Sequence, residues 1–319
     1  MKEKNEIKIG ISACLLGEKV RFDSGHKHDH FITDTLGMFF KFVPVCPEIE
    51  VGMGVPRETV NLQGDVSSPR MIGTKSGEDW TERMRVYSEK RVKQLEKYNL
   101  RGYILKKDSP SCGLERVKLY ARPGAAPERK ARGLYADRLV KQFPLLPIEE
   151  EGRLNDPVLR ENFIVRVFAY DRLCRLFSGS YKRGAVMQFH AAHKYLLLAH
   201  SPKHYQELGK LVADIKNYNP SDFAENYSRL FMEGLSLKST VAKNVNVLHH
   251  ILGFLKKQLT SDEKKYLLSI IEDYREELVP LIVPITLIRQ YVEKFKVEYI
   301  QDQYYLNPHP KELMLRNHV

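Results

Sequence analysis

Residues 102–113, GYILKKDSPSCG, read as a buried strand that runs out into a tight polar loop, with Cys112 held just before Gly113. The same event occurs twice earlier in the chain. KIGISACLLG (8–17) ends a strand and delivers Cys14, and FKFVPVCPE (40–48) ends a strand and delivers Cys46. The apolar runs 7–11, 41–45 and 102–106 suit central strands, and a helix is expected over 32–40 and over 79–97 between them. Strand, helix, strand, helix, strand implies right-handed crossovers and a mostly parallel sheet, whose carboxyl-terminal edge is where α/β ligand sites form. All three cysteines fall at that edge.

Outward from these strands the chain is punctuated differently. Residues 51–73 are broken by Gly and Pro into loops and short strands, and 133–141 read as one more helix. The prolines on both sides of Val45-Cys46 forbid a helix there, so Cys46 and Glu48 are expected on a stiff extended turn. PLLPIEEEGRLNDP (144–157) reads as a Pro- and acid-rich linker. Beyond it, helical periodicity covers 157–177, 181–199, 202–217, 220–257, 261–278 and 284–305, followed by an ordered tail. The expected architecture is an α/β N-terminal domain with a mostly parallel sheet (1–150), followed by an all-α C-terminal helical domain (151–319).

A length of 319 residues accommodates two such cores. The polar start MKEKNEIK reads as free of a signal peptide, and no run of ~20 apolar residues offers a membrane span. Four cysteines in a chain of this length are not a disulfide framework, so the expected compartment is the cytoplasm. The net charge of +11 is unevenly spread: residues 116–141 hold eight basic and two acidic side chains, 153–219 eleven and five, and 221–319 thirteen of each. A basic excess across the middle of the chain suits a polyanion such as nucleic acid, and composition alone supports an ordinary solvated surface equally well.

Thiolates are soft ligands that select iron–sulfur clusters, zinc or copper(I). Cys14, Cys46 and Cys112 lie 32 and 66 residues apart, without the Cys-x-x-Cys spacing of zinc ribbons or bacterial ferredoxins, so the fold must gather them. Three thiolates hold three irons of a 4Fe–4S cluster and leave the fourth open, a Lewis-acid arrangement that an electron carrier does not need. Cys174, within RVFAYDRLCRLF (166–177), reads as a helix packing residue. Glu48, two residues after Cys46, can move a proton beside such a centre. Ser109 and Ser111 bracket Pro110 in a turn where a hydroxyl can point at a sulfur or a substrate oxygen. Arg21 and Asp23 sit with His26 and His28 on the polar first loop as substrate-binding candidates. His190, His193 and His200 share one helix, but no carboxylate nearby completes a metal triad, so a polar helix facing a partner or the first domain is expected.

Taken together and in order, ISACLLG, VCPE, GVPR and KKDSPSCG resemble the TudS-like thiouracil desulfurases over residues 7–147. FHAAHKYLLLAHS (189–201) and YLNPHPKELMLRNH (305–318) resemble the YbgA-like domain. The fused arrangement is similar to that of tRNA 4-thiouridine desulfidases. What the resemblance implies is a 4Fe–4S cluster on Cys14, Cys46 and Cys112 used as a Lewis acid without redox change, Glu48 as proton donor, and Ser109 on the substrate side. Phe22 stands where the family more often has tyrosine, which bears on base stacking. The implied reaction removes sulfur from 4-thiouridine in tRNA, giving uridine and hydrosulfide. Phosphate contacts are expected from Arg166, Arg172, Lys182, Arg183 and Lys194, with no membrane and no obligate protein partner. Two alternatives stand beside it: a desulfidase of free thiouracil or thionucleosides, and a non-catalytic RNA-binding or redox-sensing iron–sulfur protein. A zinc site is the weakest option.

Overall fold

In the computed structural model, which describes residues 6–317, strands β1 (Ile7–Ser12), β2 (Phe40–Val45), β5 (Gly102–Leu105) and β8 (Ile148–Glu150) form one all-parallel sheet in the order β2-β1-β5-β8. The polar lead MKEKN, read above as free of a signal peptide, lies outside the described residues. The register sets Ser12 opposite Val45, Ile11 opposite Ile104 and Leu105 opposite Glu150, so all four strands end at one edge. Gly10 is required in β1 because a Cβ there would stand 2.2 Å from the ring of Tyr103. That ring is fully buried, and its hydroxyl bonds the Tyr135 hydroxyl at 3.0 Å.

A second sheet runs β4-β3-β6-β7, from β3 (Val60–Gln63), β4 (Arg70–Gly73), β6 (Val117–Tyr120) and β7 (Glu128–Ala131), with only β3 and β6 parallel. Helices α2 (Thr81–Leu95) and α3 (Leu134–Gln142) complete the unit. Leu62, Met71, Met84, Val117, Leu119 and Leu134 form a core shared by this sheet and both helices.

Several expectations need correction. Pro47–Glu50 forms a one-turn helix, α1, with Cys46 as its N-cap. Proline is excluded from a helix interior but not from its first position, where no N–H partner is needed. The expected helix 32–40 is instead a wide turn, Phe31–Thr35, then a tight one, Leu36–Met38, before β2 begins at Phe40. The supposed linker 144–157 contributes strand β8, and Glu149, Glu150 and Glu151 are all buried.

The chain divides between Asp156 and Pro157. The second unit is helical throughout: α4 (Pro157–Leu176), α5 (Arg183–His200), α6 (Pro202–Ala213), α7 (Pro220–Ser236), α8 (Val241–Leu255), α9 (Ser261–Arg275), α10 (Ile282–Phe295) and the short α11 (Glu298–Gln301). Caps explain where the expected long helices break. Thr240 Oγ1 accepts from Lys243 N and starts α8, so 220–257 is two helices. Lys296, at φ +50°, ends α10, so 284–305 is two also. The tail is ordered through residue 317, with Gln303 Nε2 donating to Ala191 O at 2.8 Å. Among the described residues no helix is long and apolar enough to cross a membrane.

Candidate active site

At the common edge of the parallel sheet a cavity of about 470 Å³ is lined by Cys14, Cys46 and Cys112 together with Glu48, Ser109 and Ser111. Cys14 sits on the tight turn Ala13–Leu16 that follows β1, closed by Gly17 at φ +91°. Its carbonyl accepts from Lys27 N at 2.9 Å, which anchors the first loop beside it. Cys46 caps α1, its N–H donating to Glu50 Oε1 at 3.2 Å. Cys112 N donates to Ser109 Oγ at 3.1 Å, and Gly113 N to Ser109 O at 2.8 Å, so the serine shapes the turn that carries the thiol. Gly133 backs that turn: a Cβ there would lie 2.4 Å from Ser111 O.

None of the three is in a disulfide, and their surroundings oppose ionisation. Burial, then the neighbouring Cys46 sulfur, pushes the Cys14 thiol up to about 11, while Lys106 and Arg21 pull the other way. Burial raises Cys46 first and Glu48 adds to it; burial and Glu48 act on Cys112 in the same way. Two buried thiols and one half-buried one, all facing one space and all disfavoured as isolated thiolates, ionise readily when a cation binds between them, which is the behaviour of a metal cradle. Three thiolate donors with no fourth cysteine among the lining residues fit a 4Fe–4S cluster with one iron not ligated by cysteine.

The carboxylate of Glu48 is fixed on both oxygens. Oε2 pairs with Arg57 Nη2, the two side chains being 16% and 6% exposed. Oε1 accepts from Ser111 Oγ at 2.6 Å and from Ser109 Oγ at 3.3 Å, and the two hydroxyls are 2.9 Å apart. Arg57 is itself pinned, with Nη1 donating to Val20 O and Gly54 O at 3.0 Å each. Within GVPR no local feature singles out Arg57, because Glu48 and Val20, which it holds, are 9 and 37 residues away in the chain.

Two further groups were missed. Two carboxylates of the acidic triplet hold both ends of the loop that carries Cys112: Glu151 pairs with Lys106 Nζ and accepts from Lys107 N at 2.7 Å, and Glu150 Oε1 accepts from Leu114 N at 2.8 Å. Asn61, Lys118 and Tyr120 of the second sheet line the same cavity. Arg21 and Phe22 also line it, the guanidinium 5.1 Å from the ring centroid. Asp23 is not among the lining residues: its carboxylate accepts from Gly25 N at 3.1 Å and pairs with Arg21 at 3.5 Å, closing its own turn.

In the helical unit, Lys182 and Arg183 are exposed at the start of α5, while Arg166 and Lys194 are half-buried, Lys194 lying over the rings of Tyr195 and Tyr299. Arg172 is not a surface cation. Its Nε donates to His193 Nε2 at 3.1 Å, its Nη1 to Pro308 O at 3.2 Å, and its guanidinium packs on the Tyr304 ring at 3.9 Å. Burial draws its pKa down to about 10. His193, whose Nδ1 bonds Phe189 O at 2.8 Å, and His190, bonded to the Tyr227 hydroxyl at 3.2 Å, belong to the same interior network rather than to a partner-facing surface. Cys174, on α4, is half-buried and outside the cavity.

An α/β unit with a three-thiol cradle and a braced carboxylate at its sheet edge, joined to a helical unit, defines a class of cluster-binding protein. Residues 9–151 match the family model described as 2-thiouracil desulfurase, and 194–310 match that of a protein of unknown function, DUF1722. The uncharacterized protein YbgA of Escherichia coli K12 is 30% identical over 158 residues, 49% of this chain and 94% of that protein. The uncharacterized protein YbbK of Bacillus subtilis 168 is 33% identical over 110 residues, 33% of this chain and 72% of that protein. A solved structure of the 4Fe-4S-dependent thiouracil desulfidase TudS is 27% identical, covers 47% of this chain and 95% of that one, and superposes with a TM-score of 0.39. The chain thus belongs to the 2-thiouracil desulfurase family in its first half and to the YbgA-like DUF1722 family in its second.

Proposed function

We propose that the chain is a 4Fe–4S-dependent desulfidase of thiolated uracil and that its substrate is 4-thiouridine in tRNA. The observation that carries this reading is the meeting of three cysteines with a doubly braced glutamate on one cavity. A 4Fe–4S cluster held by Cys14, Cys46 and Cys112 would supply a Lewis-acidic iron that polarises a carbon–sulfur bond without net electron transfer. The chain's own residues do the rest. Arg57 keeps the Glu48 carboxylate aimed and fixes Oε2, so Oε1 is the atom that exchanges protons. Oε1 takes a proton from the attacking water and passes it to sulfur; as hydrosulfide leaves, the hydroxyl on the former thiocarbonyl carbon gives its remaining proton to Oε1, and the carbonyl replaces the thiocarbonyl. Ser109 and Ser111 hold Oε1 in place through their hydroxyls, and Phe22 and Tyr120 offer ring faces to the base.

The choice of tRNA over a free base is supported by charge. A free thiouracil needs no basic surface, whereas residues 116–219 carry the chain's excess and Lys107 and Lys118 line the cavity. Lys182, Arg183, Arg166 and Lys194 are the proposed phosphate contacts of the helical unit; Arg172 is engaged by His193, Pro308 and Tyr304 instead. A base within folded tRNA must be extruded from its stack before it can enter. Free thiols and the lack of a membrane-spanning helix among the described residues accord with a cytoplasmic site of action.

Cluster-loaded protein kept without oxygen, mixed in parallel with bulk tRNA and with free 4-thiouridine, tests this through loss of the thiocarbonyl ultraviolet band. Faster turnover in tRNA is expected. Equal or faster turnover of the free nucleoside would remove the tRNA assignment. No turnover of either, with iron and sulfide content intact, would remove the enzyme.

A further inference from the structure

FHAAHKYLLLAH and YLNPHPKELMLRNH mark the helical unit in the sequence without disclosing chemistry. In space they meet. His200 from the first and Tyr305 and Arg316 from the second line a cavity of about 260 Å³, formed within the helical unit by α4, α5, α8, α9, the 238–240 loop and the tail.

Its polar groups are set by neighbours. His200 is 5% exposed, and its Nδ1 lies 2.7 Å from Leu237 O. A carbonyl only accepts, so Nδ1 carries the hydrogen and Nε2 is a bare acceptor on a neutral ring. Burial holds that ring's pKa at about 4, which keeps it neutral. Arg316 spends Nε on Glu161 Oε1 at 2.8 Å and one Nη1 hydrogen on Tyr305 O at 2.6 Å, so the two hydrogens of Nη2 and the second of Nη1 are not used by these bonds. Asn244 is already committed, accepting from the Tyr305 hydroxyl at 3.1 Å. Val165, Leu196 and Leu281 supply apolar walls, and exposed Lys238 stands at the mouth.

This pattern selects its ligand. Glu161 neutralises Arg316, so the interior has no net charge with which to hold an acid. The buried His200 acceptor and Arg316 donor, beside the apolar walls and with the polar Ser239 and Thr240 also lining the cavity, match a flat, neutral ring bearing an N–H beside a C=O, the imide edge of uracil. The volume falls below the ~300–1,000 Å³ of drug-sized sites, room for one base and its ribose. We propose that this cavity is a second nucleobase site that takes one unpaired uridine, with its imide edge on His200 and Arg316 and its phosphate toward Lys238. That the uridine belongs to a substrate RNA rests on the function proposed above.

The test uses full-length, cluster-loaded protein and 5-bromouridine 5′-monophosphate, cross-linked by irradiation and mapped by peptide mass spectrometry, with affinity measured by calorimetry. Cross-links on peptides holding His200, Tyr274 or Tyr305 are expected. His200→Leu should weaken binding there at least tenfold, and Ser239→Phe, which narrows the mouth without altering a fully buried group, should abolish the cross-link with an unchanged melting temperature. Turnover of free 4-thiouridine should be the same in both variants. Cross-links confined to other peptides, or retained in Ser239→Phe, would overturn the site. If tRNA is desulfidated and no cross-link forms here, the site falls alone; if the cross-link forms and tRNA is left intact, the site stands and its assignment to substrate RNA falls.

Discussion

Replacing Glu150 separates the shape of the Cys112 loop from its charge. The carboxylate accepts from Leu114 N at 2.8 Å and, weakly, from Glu115 N at 3.4 Å, two and three residues beyond Cys112. Alanine strips the acceptor from a partly buried N–H, which costs about 1–3 kcal/mol. For a unit of this size that is a fall of roughly 2–12 °C in melting temperature. Glutamine keeps the acceptor oxygen. Burial is also the main reason that the Glu150 pKa is raised, ahead of the opposing hydrogen bonds and the adjacent glutamates. A carboxyl whose folded pKa lies above its unfolded value of about 4.3 supports the fold below that pH and loses this support as pH rises through the folded pKa. Glu150→Gln should therefore be at least as stable as the native chain at pH 8 and lack this part of the pH dependence, whereas Glu150→Ala is weaker at every pH. Thermal melts from pH 4 to 9, with iron content after gel filtration, measure both. Equal damage in the two variants would show that the acceptor is not what holds the loop.

Arg57→Met should leave the buried Glu48 charge without its partner, at a cost of about 3–5 kcal/mol, and reduce desulfidation at least a hundredfold. Arg57→Lys should recover little, since one ammonium cannot span Glu48, Val20 O and Gly54 O; denaturant titration and turnover read the two effects. Arg172→Ala should destabilise the helical unit by about 2–3 kcal/mol with unchanged salt dependence of tRNA binding. Lys182→Glu with Arg183→Glu should do the reverse, lowering the slope of log K against log salt by about 2 in filter binding. Gly133→Ala should force the Ser111–Cys112 turn outward and cost about 1–3 kcal/mol, with cluster content falling before secondary structure in circular dichroism.

The strand ends were legible because Pro47 follows Cys46, Ser111 and Gly113 flank Cys112, and Ser12 and Gly17 bracket the turn of Cys14, residues that stop a strand and tighten a loop. The second sheet was not, since its strands are four residues long and β7, Glu-Arg-Lys-Ala, exposes three of its four side chains. Three glutamates in a row read as solvated because the partners that bury two of them, the backbone N–H groups of Lys107 and Leu114, are some 40 residues distant in sequence. Arg172 looked like a surface cation for the same reason: Tyr304 and Pro308, which enclose it, come from the far end of the chain. Charge alone does not tell a residue that meets solvent from one that meets a carbonyl.

The position of β8 sets a timetable for the assembly of the site. All three cysteines have been synthesised by residue 112, yet the carboxylates that fix the loop around Cys112 arrive only with Glu150 and Glu151. A chain emerging from the ribosome holds every sulfur before it holds the frame that aims them. The frame around Cys112 is therefore complete only once a three-residue strand is in place, and a fragment ending before Ile148 carries the three cysteines without the carboxylates that fix their last loop.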